Sequence, residues 1–272
     1  MGKNAHSKSV ETIMIFKDIF YTFIDDVIKN YYLFKSKRSI VHGIILMYHH
    51  VISDESMPLS NCVCTVDEFK KSMDEIAKHG YKFVSMDEAI EIIKKGDNTQ
   101  FASITFDDVP SDFYENAYPV LLSYNIPFTL FLTVDYIYKE GYLNQEQVIE
   151  LSKNPLCTIG AHTLSHPKLR NCPYAEREIY ESKETLESLI SKEIGYFAYP
   201  YGKSSSISRK IINIAADAGY KCAFGTSDAP IFDIIGKKKY YLPRIVYQRG
   251  KLNDKFKYSC FVEYALKRIL KK

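Results

Sequence analysis

Apolar and polar residues alternate in blocks along the chain from residue 40 onward. Short apolar runs, typical of buried strands, are separated by segments whose apolar residues recur every three or four positions, as in helices. The predicted strands are residues 43–51, 82–85, 101–106, 128–133, 157–161, 196–199, 221–225 and 242–247. The predicted helices are residues 65–79, 86–95, 112–124, 145–152, 174–192 and 206–218. Repeated strand–helix units predict an α/β fold with parallel strands, either a barrel or a doubly wound sheet.

The first 39 residues form a separate predicted segment. Apolar residues recur at helical spacing within residues 13–34, but charged residues such as Lys17, Asp18 and Asp25 interrupt them. This pattern is neither a signal peptide nor a membrane span. We therefore expect an N-terminal helical extension over residues 1–39 and one domain over residues 40–272. The amphipathic helix would pack on that domain, or contact a partner or a membrane surface.

Composition narrows the functional classes. Hydrophobic residues make up 46% of the 272 residues and charged residues 25%, which excludes a disordered chain. The net charge of +3 gives no footprint for nucleic acid, so no nucleic-acid partner is expected. Of six scattered cysteines only Cys62 and Cys64 lie close together, at a spacing that fits neither a zinc nor a redox motif. We expect reduced cysteines in a cytoplasmic protein.

Two adjacent carboxylates, Asp107 and Asp108, close the apolar run at residues 101–106. The carboxyl ends of parallel strands carry the active sites of α/β folds, because the loops there vary while the strands hold position. Adjacent residues on an extended backbone point in opposite directions. We therefore expect one carboxylate to bind a metal while the other faces substrate or water, with an ordinary turn as the alternative.

A pair of histidines, His162 and His166, follows the apolar run at residues 157–161. A helical turn would place both imidazoles on one side, ~6 Å apart, which suits the binding of one metal ion. Two histidines and a carboxylate leave coordination positions open for water and substrate, as in catalytic metal sites. The two strand ends together predict a metal centre, and ordinary loop histidines are the alternative.

These two segments, TFDD at 105–108 and HTLSH at 162–166, resemble the first two motifs of the polysaccharide deacetylase family, the NodB-homology or carbohydrate esterase 4 group. The similarity runs from about residue 44 to residue 247. It implies a distorted (β/α) barrel of about seven parallel strands. It also implies that Asp107 is the general base. The implied ligands of a divalent metal, Zn²⁺ first and Co²⁺ or Ni²⁺ as alternatives, are Asp108, His162 and His166.

A third segment, FAYPYG at 197–202, resembles the family's third motif, a wall of the active-site groove. The substrate-binding candidates in it are Tyr199, Pro200 and Tyr201. The resemblance makes the backbone N–H of Tyr201 an oxyanion donor. Ala198 stands where most members carry an Arg that holds the catalytic aspartate. Because Arg presents two parallel donors to a carboxylate, we expect Arg244 to supply the missing guanidinium.

The family's usual late histidine, its general acid, is absent, because no histidine follows His166. A branch that includes biofilm poly-N-acetylglucosamine deacetylases places this acid on the first strand, in a Tyr-His-x-Val pattern that residues 48–51 match. By this resemblance His49 is the acid, and His50 is a weaker candidate for the acid and a candidate for substrate binding. Strand alternation would send one of the two inward and the other towards the helices. The alternative is a structural histidine.

The resemblance implies metal-dependent hydrolysis of an N-acetyl group from an amino sugar in a polysaccharide or glycan precursor, with release of acetate. Two other functions stay open: a deformylase or deacetylase of a lipid-linked sugar, and a non-catalytic glycan-binding relative. An apolar face with lysines beside it near the C-terminus predicts a capping helix, or a helix that rests on an anionic membrane. The expected partner is an N-acetylated carbohydrate, and the sequence does not predict an oligomeric state.

Overall fold

The computed structural model describes residues 43–53, 62–97, 99–227, 230–231 and 239–247. The strands in this part of the chain are β1 (Gly43–Tyr48), β2 (His50–Ile52), β3 (Val63–Thr65), β4 (Lys82–Phe83), β5 (Phe101–Asp107), β6 (Phe128–Leu132), β7 (Cys157–Ala161), β8 (Tyr196–Ala198), β9 (Cys222–Phe224) and β10 (Ile245–Val246). The α-helices are α1 (Val66–Lys78), α2 (Met86–Lys95), α3 (Tyr118–Ser123), α4 (Gln145–Lys153), α5 (Ala175–Ile190) and α6 (Arg209–Asp217). The predicted terminal helices lie outside the described residues.

A sheet of parallel strands in the order β10-β1-β5-β6-β7-β8-β9 forms the centre of the fold. The short strand β4 pairs with the first two residues of β5, and β6 takes over at Ile104. The last described strand therefore lies beside the first, at one end of this order, and Arg244, just before β10, reaches Asp107 of β5 from there. The predicted distorted (β/α) barrel of about seven parallel strands is confirmed.

Local sequence signals set the ends of the first two helices. Thr65 caps α1 and Ser85 caps α2, each in a reciprocal capping box with the glutamate three residues later. Each cap stabilises its helix by about 1 kcal/mol. Gly96 ends α2 in the left-handed conformation at φ 66°. None of the helices in the described residues is long and apolar enough to cross a membrane.

The first predicted strand is interrupted, and this break is the departure that matters most for the site. Residues 43–51 do not form one strand: β1 ends at Tyr48, and β2 begins at His50 in a separate two-stranded sheet with β3. The predicted helix at residues 112–124 also divides, into a π-helix over Phe113–Ala117 followed by α3. Short π-helices occur frequently at functional sites.

An aromatic cluster fastens the end of β5 to the π-helix. The ring of Phe106, one residue before the aspartate pair, lies 4.7 Å from the ring of Phe113 and 5.6 Å from that of Tyr48. All three side chains are fully buried, and burying each one contributes roughly 1.5–3 kcal/mol. This packing fixes the backbone on both sides of the two aspartates.

Candidate active site

A buried ion pair joins Asp107 to Arg244 at the end of β5. The guanidinium donates to both carboxylate oxygens, with Nη1–Oδ1 and Nη2–Oδ2 distances of 2.6 Å. Its other donors reach the Thr105 hydroxyl at 3.1 Å and the Gly225 carbonyl at 3.2 Å. Arg244 has no exposed surface and Asp107 is 3% exposed. The structure thus brings together the two residues that the sequence predicted as partners.

Gly160 leaves space for the Phe131 ring, which packs against the Arg244 guanidinium. The ring of Phe131 lies 5.0 Å from the Arg244 guanidinium carbon, a cation–π contact. A β-carbon on Gly160 of β7 would approach a carbon of the Phe131 ring to 2.6 Å, which is sterically forbidden. A side chain at residue 160 would therefore displace the ring on which Arg244 rests.

The ion pair determines the protonation state of Asp107. Burial raises the pKa of this carboxyl group, but the charges of Arg244 and His162 and the hydrogen bonds from Arg244 outweigh burial and lower the pKa to about 2. A general base must be ionised to accept a proton, and Asp107 meets this condition over the whole range in which proteins are folded. The pairing also makes the carboxylate a weaker base than a free aspartate.

The two carboxylates converge, although the sequence predicted that they would point in opposite directions. Asp108 is not on extended backbone: it adopts φ 61° and Val109 φ 50°. This left-handed turn sends both side chains to His162, whose Nε2 lies 3.9 Å from Asp107 Oδ2 and 3.9 Å from Asp108 Oδ1. The predicted alternation is therefore wrong, because the strand ends between the two residues.

The two histidines meet without the helical turn that the spacing suggested. Their ring centroids are 4.9 Å apart, but Thr163 and His166 have φ values of 74° and 63°, so the loop is not helical. Glu178 of α5 holds the loop, since its carboxylate accepts hydrogen bonds from the backbone N–H groups of Leu164 and Ser165, both at 2.9 Å, and from the Ser165 hydroxyl.

Asp108, His162 and His166 form a group that fits a divalent metal. One potential ligand atom from each lies within 4.8 Å of the others. His162 Nδ1 donates to the Ala198 carbonyl at 2.7 Å, which leaves the Nε2 lone pair facing Asp108. Burial lowers the pKa of His162 and keeps the ring neutral, the form that binds metals. Thr133 donates to Asp108 Oδ1 at 3.2 Å. Two imidazoles and a carboxylate are a usual ligand set for zinc and similar ions.

Backbone strain concentrates around this group. Among the described residues, seven that are not glycine have positive φ, and five of them line the site. These five are Asp108, Val109, Thr163, His166 and Tyr201. Each such conformation costs of order 1–3 kcal/mol and persists only where the surroundings enforce it. Strain of this kind is typical of functional sites. Here it occurs at Asp108 and His166, two of the three candidate metal ligands.

His49 occupies the break between β1 and β2, on the side of the aspartates. Its Nδ1 atom is buried and has no hydrogen-bond partner among the described residues. Burial lowers the pKa of His49 below 6.5, and the charges of Asp107 and Asp108 only partly offset this effect. A buried polar atom without a partner is costly in a folded protein. Among the described residues no group satisfies His49 Nδ1, so this atom is available to a bound group.

His50 pairs with Asp112. The distance between His50 Nδ1 and Asp112 Oδ2 is 2.6 Å, and this hydrogen bond raises the pKa of His50. Strand alternation was expected to turn the two histidines in opposite directions, but no continuous strand contains both, because β1 ends at Tyr48 and β2 begins at His50. The pairing with Asp112 commits one ring nitrogen of His50 to the protein, although the sequence assigned this residue to substrate binding.

In the third motif, Tyr199 and Pro200 are buried, whereas Tyr201 lies at the surface. Tyr199 is 1% exposed and donates its hydroxyl to the Tyr240 carbonyl at 2.7 Å, so this side chain supports the wall from behind. Pro200 is buried as well. Tyr201 is 57% exposed, and its ring centroid lies 5.0 Å from that of His166. Of the three predicted substrate-binding residues, Tyr201 alone offers an accessible ring.

Two tyrosines that the sequence did not single out complete the rim. Tyr136 stacks beside His166 with a centroid distance of 6.1 Å, and Tyr142 lies 4.4 Å from Tyr136. Both are partly exposed. They follow β6, whose carboxyl end lies at the same edge of the sheet as the aspartates, and that position was the available signal. Tyr136 and Tyr201 lie beside His166, and Tyr142 packs on Tyr136, so the three rings form an amphipathic border along this side of the site.

The comparisons with known proteins agree with the resemblance that the sequence motifs indicate. The family model for polysaccharide deacetylase matches residues 94–223, which confirms the predicted resemblance. YxkH of Bacillus subtilis, a presumed polysaccharide deacetylase, is 27% identical over 186 residues, which cover 67% of this chain and 63% of that protein. This chain therefore matches less than two thirds of the length of YxkH.

The biofilm branch is also represented among the relatives. The poly-β-1,6-N-acetyl-D-glucosamine N-deacetylase of Staphylococcus aureus is 26% identical over 207 residues, covering 70% of each chain. The solved structure of the Streptococcus pyogenes deacetylase PplD, in complex with acetate, has a TM-score of 0.69 and 24% identity, and it covers 78% of this chain and 95% of that one. At this identity the structural likeness concerns the fold.

Proposed function

We propose that this chain hydrolyses the N-acetyl group of an amino sugar in a polysaccharide or glycan precursor, releasing acetate and a free amine, and that it depends on a divalent metal. The observation that carries the proposal is the juxtaposition of Asp107, held ionised by Arg244, with a ligand group of one carboxylate and two imidazoles. The name of the Staphylococcus aureus relative favours N-acetylglucosamine polymers as the substrate.

Each protein group has a role in this hydrolysis. A divalent ion held by Asp108, His162 and His166 would polarise the acetamide carbonyl and lower the pKa of the attacking water. Asp107 takes a proton from that water as its oxygen adds to the carbonyl carbon. The backbone N–H of Tyr201 donates to the carbonyl oxygen as negative charge develops there.

His49 completes the reaction by delivering a proton to the amine nitrogen as the C–N bond breaks. An alkylamine is a poor leaving group unless it is protonated, so this step needs an acid. The buried Nδ1 of His49 without a partner and the nearby charges of Asp107 and Asp108 support this assignment. The lowered pKa makes the His49 imidazolium a stronger acid and reduces the protonated fraction at neutral pH.

The test is acetate release from N-acetylglucosamine oligomers of β-1,6 and β-1,4 linkage, followed by mass spectrometry as successive losses of an acetyl group. We expect release by the zinc-loaded protein, little release after chelation, and recovery with Zn²⁺ or Co²⁺. His49→Ala should bind metal normally and lose at least about 10²-fold in turnover. No acetyl loss from any oligomer at full metal occupancy would favour the non-catalytic glycan-binding alternative.

A further inference from the structure

The carboxylate of Asp112 clamps the short strand that follows His49. Its Oδ2 lies 2.6 Å from His50 Nδ1, and its Oδ1 accepts a hydrogen bond from the backbone N–H of Val51 at 3.1 Å. Asn116, one turn further along, donates to the Val51 carbonyl at 2.9 Å. Two of the three residues of β2, His50 and Val51, are therefore bonded to side chains from the segment that follows the aspartate pair.

The strand arrangement shows what this clamp controls. β1 is fixed in the main sheet, because it pairs with β5 on one side and β10 on the other. β2 has left that sheet and pairs with β3 alone among the described strands. His49 is the single residue between β1 and β2. The direction in which β2 leaves β1 therefore sets where the His49 imidazole points.

Asp112 belongs to the same short segment as Asp107. Four residues connect the two aspartates. Val109, within this connection, adopts a left-handed conformation, and Phe113, which follows Asp112, packs on Phe106. Asp107 and Asp112, which holds β2, therefore belong to one constrained segment of backbone. Such a link would fix the distance between Asp107, which acts at the carbonyl carbon of the amide, and His49, which acts at its nitrogen.

We propose that Asp112 is a positioning residue that holds His49 in register with Asp107. The proposal rests on the function proposed above, because it takes His49 as the proton donor. An ordinary structural ion pair would contribute to stability alone. A positioning residue instead affects the step that needs His49, and displacement of a catalytic group by about 1 Å can lower the rate by 10²-fold.

The kinetic test compares two substrates with the metal-loaded full chain. Deacetylation of an N-acetylglucosamine oligomer needs protonation of the amine, whereas 4-nitrophenyl acetate releases a phenolate that needs no acid. Asp112→Ala should lower kcat on the oligomer by roughly 10–10²-fold with little change in KM, and should leave ester hydrolysis near the wild-type rate. The double variant His49→Ala/Asp112→Ala should be no slower than His49→Ala, because residues that act through one another are not additive.

Glu150→Ala is the matched control, since Glu150 accepts a hydrogen bond from Tyr114 on the outer side of the same π-helix. It should leave both reactions unchanged. Equal losses on amide and ester, or additive losses in the double variant, would overturn the positioning role. If the wild type releases no acetate, the function proposed above fails on its own, and a structural measurement still decides the matter. The NMR signals of the His49 ring should shift in Asp112→Ala and not in Glu150→Ala, and an unshifted ring would overturn the proposal.

Discussion

The guanidinium of Arg244 donates hydrogen bonds to both carboxylate oxygens of Asp107, and both contacts are 2.6 Å long. The two residues are 137 positions apart in the sequence. The chain carries Ala198 where the family usually has its arginine, and the described structure provides a guanidinium from a different strand instead. Adjacency of β1 and β10 in the sheet makes this substitution possible. We infer that the site has kept the pairing while changing its source.

Breaking this ion pair should destabilise the protein strongly. Arg244→Met leaves the Asp107 carboxylate buried without a partner, which should lower the free energy of unfolding by about 3–5 kcal/mol. Adding Asp107→Asn removes the uncompensated charge, so the double variant should be more stable than Arg244→Met alone. Urea denaturation measures both effects. Arg177→Met, which removes an exposed arginine paired with Glu181, is the control and should change little. Equal stability of Arg244→Met and the wild type would contradict the pairing.

The low pKa of Asp107 predicts an acid-dependent part of stability. A carboxyl group whose pKa is lowered to about 2 on folding stabilises the protein above its unfolded pKa of about 3.9 and loses that contribution as pH falls towards 2. The contribution of Asp107 is on the order of 2–3 kcal/mol. In the metal-free protein, the stability difference between wild type and Asp107→Asn should therefore shrink between pH 5 and pH 2. A difference that does not change with pH in this range would mean that Asp107 is not held ionised by Arg244.

Alanine variants of His166 and His162 should both lose metal but should differ in stability. His166 has a side chain that is 16% exposed, so His166→Ala should lose metal with little loss of stability. His162 is 2% exposed and bonded to the Ala198 carbonyl. His162→Ala should lose metal and also about 1–3 kcal/mol of stability, because it leaves a buried carbonyl without its donor. Elemental analysis and thermal denaturation measure the two properties, and full metal occupancy in either variant removes that residue from the ligand set.

Glu178 should tune metal affinity without touching the metal. Its carboxylate fixes the backbone of the two residues that precede His166. Glu178→Ala should weaken zinc binding by roughly 10–100-fold, the range for partners that orient ligands. Competition with a zinc chelator measures the affinity. Glu176→Ala, an exposed glutamate on the same helix, is the control. The same affinity in both variants would show that the loop holds its shape unaided.

Much of the site could be predicted because its residues follow strands. The carboxyl ends of parallel strands meet at one edge of a sheet, so the sequence positions of Asp107, Asp108, His162 and His166 were enough to predict their meeting. The pairing of Asp107 with Arg244 was predicted from the family resemblance, because Ala198 stands where most members carry the arginine that holds the catalytic aspartate.

The remainder depends on backbone conformation and on distant contacts. The left-handed turn at Asp108 and Val109 contains no glycine, so the sequence gives no signal for it. A β-branched residue such as Val109 in fact disfavours positive φ. The break at His49 is accompanied by the contact of His50 with Asp112, 62 residues away, and no local pattern encodes such a contact. The rim tyrosines Tyr136 and Tyr142 were missed because aromatic residues are common throughout this chain.

The most direct test of the account separates the two neighbouring aspartates. Zinc content and acetate release from an N-acetylglucosamine oligomer should be measured side by side for Asp107→Asn and Asp108→Asn. We predict that Asp107→Asn keeps its zinc and loses roughly 10²-fold or more in turnover, whereas Asp108→Asn loses both zinc and turnover. Equal loss of zinc in the two variants, or wild-type turnover in Asp107→Asn, would contradict the division of roles between base and ligand.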